Sequence, residues 1–179
     1  MTADQPSLAP GPGPSPAASL FAVLVRWGLG LTFITMGMAK VGDTVAFLKL
    51  LREYDLVAAD QSLLLNSLAI VLPWLEIWLG LLMVAGVAVR GSALTLLVLL
   101  VVFTGAIALR AQTIMDSEGL TLCAIAFDCG CGSGVVNVCN KMAQNTGLIA
   151  LAAWASWSGN TSLCLRHALW GKGSAPRER

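Results

Sequence analysis

Three long apolar runs, Leu20 to Met38, Leu63 to Val89 and Ser92 to Ala111, constrain this chain more than any other feature. A helix needs roughly 20 apolar residues to cross the hydrocarbon core of a bilayer, and in lipid only a helix or a closed barrel satisfies every backbone donor and acceptor. The rest of the chain offers little polar surface to compensate: of 179 residues, 56% are hydrophobic and 12% charged, with a mean hydropathy of +0.76. A soluble domain of this size would leave too many apolar side chains in water. The sequence therefore predicts an all-α membrane protein.

A fourth span is expected from about Val135 to Trp157, although Asn137, Asn140, Lys141, Gln144 and Asn145 interrupt its outer half, which must pack against protein or stay wet. The expected architecture is a four-transmembrane-helix bundle. Residues 1–18 are rich in Pro, Gly, Ser and Ala, cannot bury enough surface to offset chain entropy, and read as a disordered tail. They carry no Lys or Arg, so the first apolar run reads as a retained anchor rather than a cleaved signal. Asp43 to Leu56 has Val45, Leu48, Leu51 and Leu56 spaced for one helical face and Lys49, Arg52 and Glu53 near the other, the pattern of a short helix lying on the membrane surface. Arg90-Gly91 reads as the tight turn between the second and third spans.

Charge carries information only by position. A net charge of +1 gives no reason to expect nucleic acid as a partner. Basic residues mark cytoplasmic ends. Arg166, Lys172, Arg177 and Arg179 in residues 159–179, together with Arg90, match in number Lys40, Lys49, Arg52, Arg110 and Lys141 in the other loops, so the density of basic residues in the tail decides, favouring both termini in the cytoplasm and the two longer loops outside the inner membrane. His167 and Cys164 then fall on the inner side, the first read as solvated and the second as a free thiol.

Two ionisable residues lie inside spans. Arg26 in the first and Glu76 in the second would each cost about 3 kcal/mol if left uncompensated, so each needs a partner or a wet cavity; the favoured expectation is that they pair and fix helix register, ahead of a proton-relay role. The competing reading is functional: Trp74 and Trp78 flank Glu76 and, with Pro73, would shape an aromatic pocket for a flat apolar cofactor such as quinone. Trp154 and Trp157 read as aromatic-belt anchors. Gly28, Gly30, Gly37, Gly80 and Gly86 are small residues of the kind that let membrane helices approach closely.

Four of five cysteines crowd into residues 123–139, CAIAFDCGCGSGVVNVC. Cys129-Gly130-Cys131 is a C-x-C pair, and the topology places it where disulfides persist. Such a pair closes a small strained ring, which favours reduction and suits a shuttle. The glycine-rich turn leads into the fourth span, whose helix N-terminus would favour a thiolate, whereas Asp128 opposes it with a negative charge. Cys123 and Cys139 would be a relay pair or a structural bridge. Four cysteines allow three connectivities, all open, and a purely structural knot competes with redox activity. The spacing lacks the paired C-x-x-C of zinc ribbons, so no metal is expected.

The Asp-Cys-Gly-Cys-Gly run at 128–132 resembles the D-C-G-C-F-G signature of the methylamine utilisation MauE family, within the wider DoxX-like group of four-helix membrane proteins. Arg26, the series Gly30, Phe33, Gly37, Lys40, and Pro73, Glu76, Gly80 also resemble that group's pattern, over roughly residues 20–158. The signature would bring an aromatic at position 132, where Gly132 is followed here by Ser133, so the local turn departs from it. The resemblance implies extracytoplasmic redox work, helping to form or reshuffle disulfides in an exported or periplasmic partner, with Cys129 and Cys131 carrying the exchange. The wider group also includes a thiosulfate:quinone oxidoreductase subunit and accessory subunits of oxidoreductase complexes. Three function classes follow as expectations: a thiol-disulfide oxidoreductase passing electrons to membrane quinone; a non-catalytic subunit anchoring a larger membrane complex; and, disfavoured by the lack of an inverted repeat, a small-molecule transporter.

Overall fold

The structure, a computed structural model, describes residues 16–54, 61–128 and 134–158. Five helices and one small hairpin appear among them: α1 (Pro16–Gly42), α2 (Thr44–Glu53), α3 (Ser62–Ala85), α4 (Val89–Glu118), a 3-10 turn (Leu122–Ala124), β1 (Ala126–Asp128), β2 (Val135–Asn137) and α5 (Val138–Trp157). Three of the helices, from Ala17 to Gly42, Ser62 to Ala85 and Val89 to Glu118, are long and apolar enough to cross a membrane. Their outer faces carry Leu24, Leu31, Val71, Val98, Val101 and Leu109, each more than half exposed. Continuous apolar exposure on this scale has no place in water and belongs against lipid. The molecule is a multi-pass membrane protein.

Several boundaries differ from those expected. The first helix starts at Pro16, inside the stretch read as a tail, and runs on to Gly42. The link between α3 and α4 is not Arg90-Gly91, which lies within the first turn of α4; the chain turns at Gly86 and Ala88, with φ of 72° and 48°. Gly86 takes the left-handed position that ends a helix and that side chains resist. Arg90 spans instead to the end of α5, donating to the Ser156 and Trp157 carbonyls at 3.3 Å each. α2 starts at its cap, the Asp43 carboxylate accepting from Ala46 N at 2.9 Å, which satisfies an otherwise orphaned amide.

α1 and α3 touch backbone to backbone. A Cβ added at Gly30 would meet Gly80 O at 2.7 Å, one at Gly80 would meet Gly30 O at 2.6 Å, and one at Gly37 would meet Pro73 O at 2.8 Å. Gly28 has open space around it and Gly86 is a cap, so three of the five glycines picked from sequence make the close approach.

Two apolar clusters form the interior. One gathers Val25, Leu29, Phe33, Met83, Leu96 and Ala152 with their neighbours on α1, α3, α4 and α5. The other joins Ile107 and Ala111 of α4 to Ile125 and Val138, where the hairpin meets α5. Polar residues of α5 turn inward: Lys141 and Asn145 are each 3% exposed, Asn145 Nδ2 donates to Thr104 Oγ1 at 3.1 Å and Lys141 Nζ to Gln144 Oε1 at 3.2 Å. Burial of amides is tolerated when they are hydrogen-bonded, and these residues are what keeps α5 less apolar than the other long helices.

Candidate functional site

The opposition of Gly30 to Gly80 and Gly37 to Pro73 fixes an antiparallel register in which Glu76 lies level with Ile34. Side chains on a helix lean toward its N-terminus. On antiparallel neighbours, Glu76 therefore leans along α1 toward Lys40, and Lys40 leans back toward Glu76. The result is a bidentate ion pair with Lys40 Nζ at 2.5 and 2.7 Å from the Glu76 carboxylate oxygens, the two residues 6% and 1% exposed. Lys40 Nζ also lies 4.8 Å from the Phe103 ring centroid and 5.4 Å from that of Phe47, so aromatic faces help hold the cation away from water.

This overturns the expected Arg26–Glu76 pair. Arg26 stands eight residues from the level of Glu76, about 12 Å at a rise of 1.5 Å per residue, and the two side chains lean apart. Arg26 is itself buried beside Val25 and Leu29 on the inward face of α1. The proposed Trp74–Trp78 pocket is corrected as well. Residues two apart on a helix face nearly opposite ways, and with Glu76 turned inward Trp74 and Trp78 are 52% and 62% exposed on the outer face.

A pocket does exist beside Glu76, with other walls. It is an apolar cavity of about 370 Å³ lying between the two clusters, framed by α1 (Phe33, Met36), α2 (Phe47, Leu50), α3 (Leu68, Leu72) and α4 (Phe103, Ala106), with Lys40, Tyr54, Glu76 and Asn145 as its polar members. A second cleft of about 210 Å³ shares Lys40, Phe47 and Leu50 with it and is completed by Asp43, Asp128 and Gly134. Lys40 thus borders both.

Asp128 and Gly134 are the shoulders of the cysteine-bearing hairpin. β1 and β2 pair antiparallel, with Ala126 opposite Asn137 and Asp128 opposite Val135. Three ties secure the base. Cys123 and Cys139 are bonded, with Cα atoms 5.0 Å apart; Asn137 Nδ2 donates to Cys123 O at 2.6 Å while its Oδ1 caps α5 at Cys139 N, 3.0 Å; and Val138 N donates to Ile125 O at 3.0 Å. Cys129 and Cys131 lie outside the described residues, as do Cys164, His167 and residues 159–179. No cluster of His, Cys, Asp and Glu suited to a metal occurs among the described residues.

The family model for methylamine utilisation protein MauE matches residues 18–158. The chain belongs to the MauE family. The match runs from the first turns of α1 to the end of α5, so it takes in the ion pair, both cavities and the whole hairpin. No curated protein and no solved structure matches the chain. Phe47 and Phe103, which nothing in the sequence singles out, line the cavity with Lys40, which reads in the sequence as a topology charge and part of the family pattern, and with Asn145, which reads there only as a polar interruption of the fourth span. Lys40 sits at the end of an apolar run, where a cation ordinarily marks topology, and only the helix lean in an antiparallel register reveals its partner.

Proposed function

We propose that this MauE family protein is a thiol-disulfide exchange protein of the bacterial inner membrane, with α5 as a fourth crossing, both termini cytoplasmic and the hairpin outside. Cys129 and Cys131 carry the exchange. In the forward direction a thiolate of an exported partner attacks one sulfur of the Cys129–Cys131 disulfide, and the partner's second thiolate resolves the mixed disulfide. The partner leaves with one new S–S bond and the cysteines are left as a dithiol. Two electrons and two protons then pass from the dithiol to a membrane quinone, giving hydroquinone and restoring the disulfide. The Cys123–Cys139 bridge serves as a clamp at the base of the hairpin.

The observation that carries this reading is the position of Asp128 and Gly134, which bracket residues 129–133 in sequence and line a cleft shared with Lys40 at the edge of the apolar cavity. The described shoulders of the hairpin, Asp128 and Gly134, thus stand at a cleft bordered by the lysine that also borders the apolar cavity, which supports exchange coupled to a membrane-soluble oxidant. The test is turnover of the purified protein in lipid nanodiscs, supplied with ubiquinone-1 and a reduced dithiol peptide. Peptide disulfide and quinol should form one for one, and Cys129→Ser or Cys131→Ser should fall to the uncatalysed rate. Equal rates for the wild type and Cys129→Ser would contradict the proposal and leave a non-catalytic subunit of a larger complex as the better account.

A further inference from the structure

In the exchange reading the dithiol is reoxidised by a membrane quinone, an acceptor that takes two electrons and two protons and dissolves in lipid. We infer that the cavity beside the Lys40–Glu76 pair is the binding site for the ring of a membrane quinone, with Lys40 Nζ donating to one quinone carbonyl. This rests on the exchange reading for its direction of electron flow and adds the place where the acceptor sits.

The size is suitable, since small-molecule sites run from about 300 to 1,000 Å³ and bury most of their ligand. The walls are suitable too: Phe33, Phe47 and Phe103 present aromatic surface to a flat apolar ring, and ring pairs favour stacked or edge contacts. A lysine ammonium has three donors and no acceptor. Two of those of Lys40 go to Glu76, and among the described residues no acceptor takes the third, while Nζ borders the cavity. Glu76 neutralises the cation without closing off that donor. Asn145, also in the lining, commits its Nδ2 to Thr104, leaving the amide oxygen to accept from a quinol hydroxyl.

Val102, 58% exposed on the outer face of α4, also lines the cavity, so the wall there is one side chain thick, and we take this as the place where a ligand with a long apolar tail enters and leaves its tail in the bilayer. The second cleft shares Lys40, Phe47 and Leu50 with the cavity and is lined on its other side by the hairpin shoulders Asp128 and Gly134.

The test is photolabelling of the intact protein in nanodiscs with an azidoquinone, mapped by peptide mass spectrometry and competed with ubiquinone-1. Label should fall on the segments around Lys40 to Phe47 and around Phe103, and excess ubiquinone-1 should suppress it at least about tenfold. Ala106→Trp and Leu72→Trp fill the cavity from two sides and should each abolish the competed label. Lys40→Met combined with Glu76→Leu removes the donor without stranding a charge, and should weaken ubiquinone-1 by about tenfold or more. Label confined to the faces of Trp74 and Trp78, or a phospholipid held in the cavity that ubiquinone-1 does not displace, would overturn the inference. The Cys129→Ser, Cys131→Ser variant separates the two proposals. Undiminished competed labelling there supports the quinone site even if thiol exchange fails, whereas quinone-dependent thiol oxidation at the wild-type rate in both Trp variants overturns the site and leaves exchange standing.

Discussion

Lys40 and Glu76 form a buried ion pair between α1 and α3. Removing one member of a buried ion pair strands a charge, which costs about 3–5 kcal/mol, whereas replacing both by apolar groups of similar size is often neutral. Lys40→Met and Glu76→Leu should each therefore lower the midpoint of thermal unfolding in detergent sharply, and the double variant should recover most of the loss. Additive losses would mean that the two side chains do not act as a pair. From the sequence, Glu76 was legible as a residue needing a partner, because a carboxylate in mid-span cannot stand alone. Its partner was not, because depth along a helix leaves out the lean of side chains, which brings Lys40 in and carries Arg26 away. Trp74 and Trp78 each stand two residues from Glu76, a spacing that by itself puts them on the opposite face.

Helix packing rests on bare backbone at the α1–α3 crossing. Gly80→Ala would push a methyl to 2.6 Å from Gly30 O and 2.8 Å from Ile34 Cγ1. A backbone oxygen cannot yield as a side-chain end can, so the helices must separate, at a cost of about 1–3 kcal/mol. Gly28→Ala meets nothing within 4 Å and should leave the unfolding midpoint unchanged or raise it slightly; equal effects of the two substitutions, in the same thermal assay, would refute the crossing. At the hairpin, the bridge spans a separation of 16 residues, and a loop of that length is worth about 3 kcal/mol when closed. Cys123→Ser with Cys139→Ser should loosen the base and raise amide exchange in Ala126–Asp128 and Val135–Asn137, while α1 and α3 keep their protection. The three apolar helices were legible by length and hydropathy alone. The hairpin was not, because strands of three residues carry no periodicity and the cysteines on either side left three pairings open.

At the scale of the whole molecule, apolar outer faces, a polar-lined seam on α5 and a cavity between two clusters describe a membrane protein with space for a ligand inside. The composition made the membrane legible, and the D-C-G-C run made the family legible. The cavity was hidden, because it is assembled from α1, α2, α3, α4 and α5 and no local pattern reports a space between helices. The proposed topology predicts that, after treatment with a membrane-impermeant reductant, an impermeant maleimide added to intact spheroplasts modifies Cys129 and Cys131, while Cys164 reacts only after permeabilisation. Labelling of Cys164 first would invert the topology. The central claim, that Cys129 and Cys131 exchange while Cys123 and Cys139 clamp, is tested most directly by differential thiol alkylation with mass spectrometry across a series of glutathione potentials. The account predicts that Cys129 and Cys131 titrate together well above about −300 mV, where exchange catalysts lie, while Cys123–Cys139 stays oxidised below it. Four cysteines locked as disulfides throughout, or a labile Cys123–Cys139 bridge beside an inert Cys129–Cys131 pair, would contradict it.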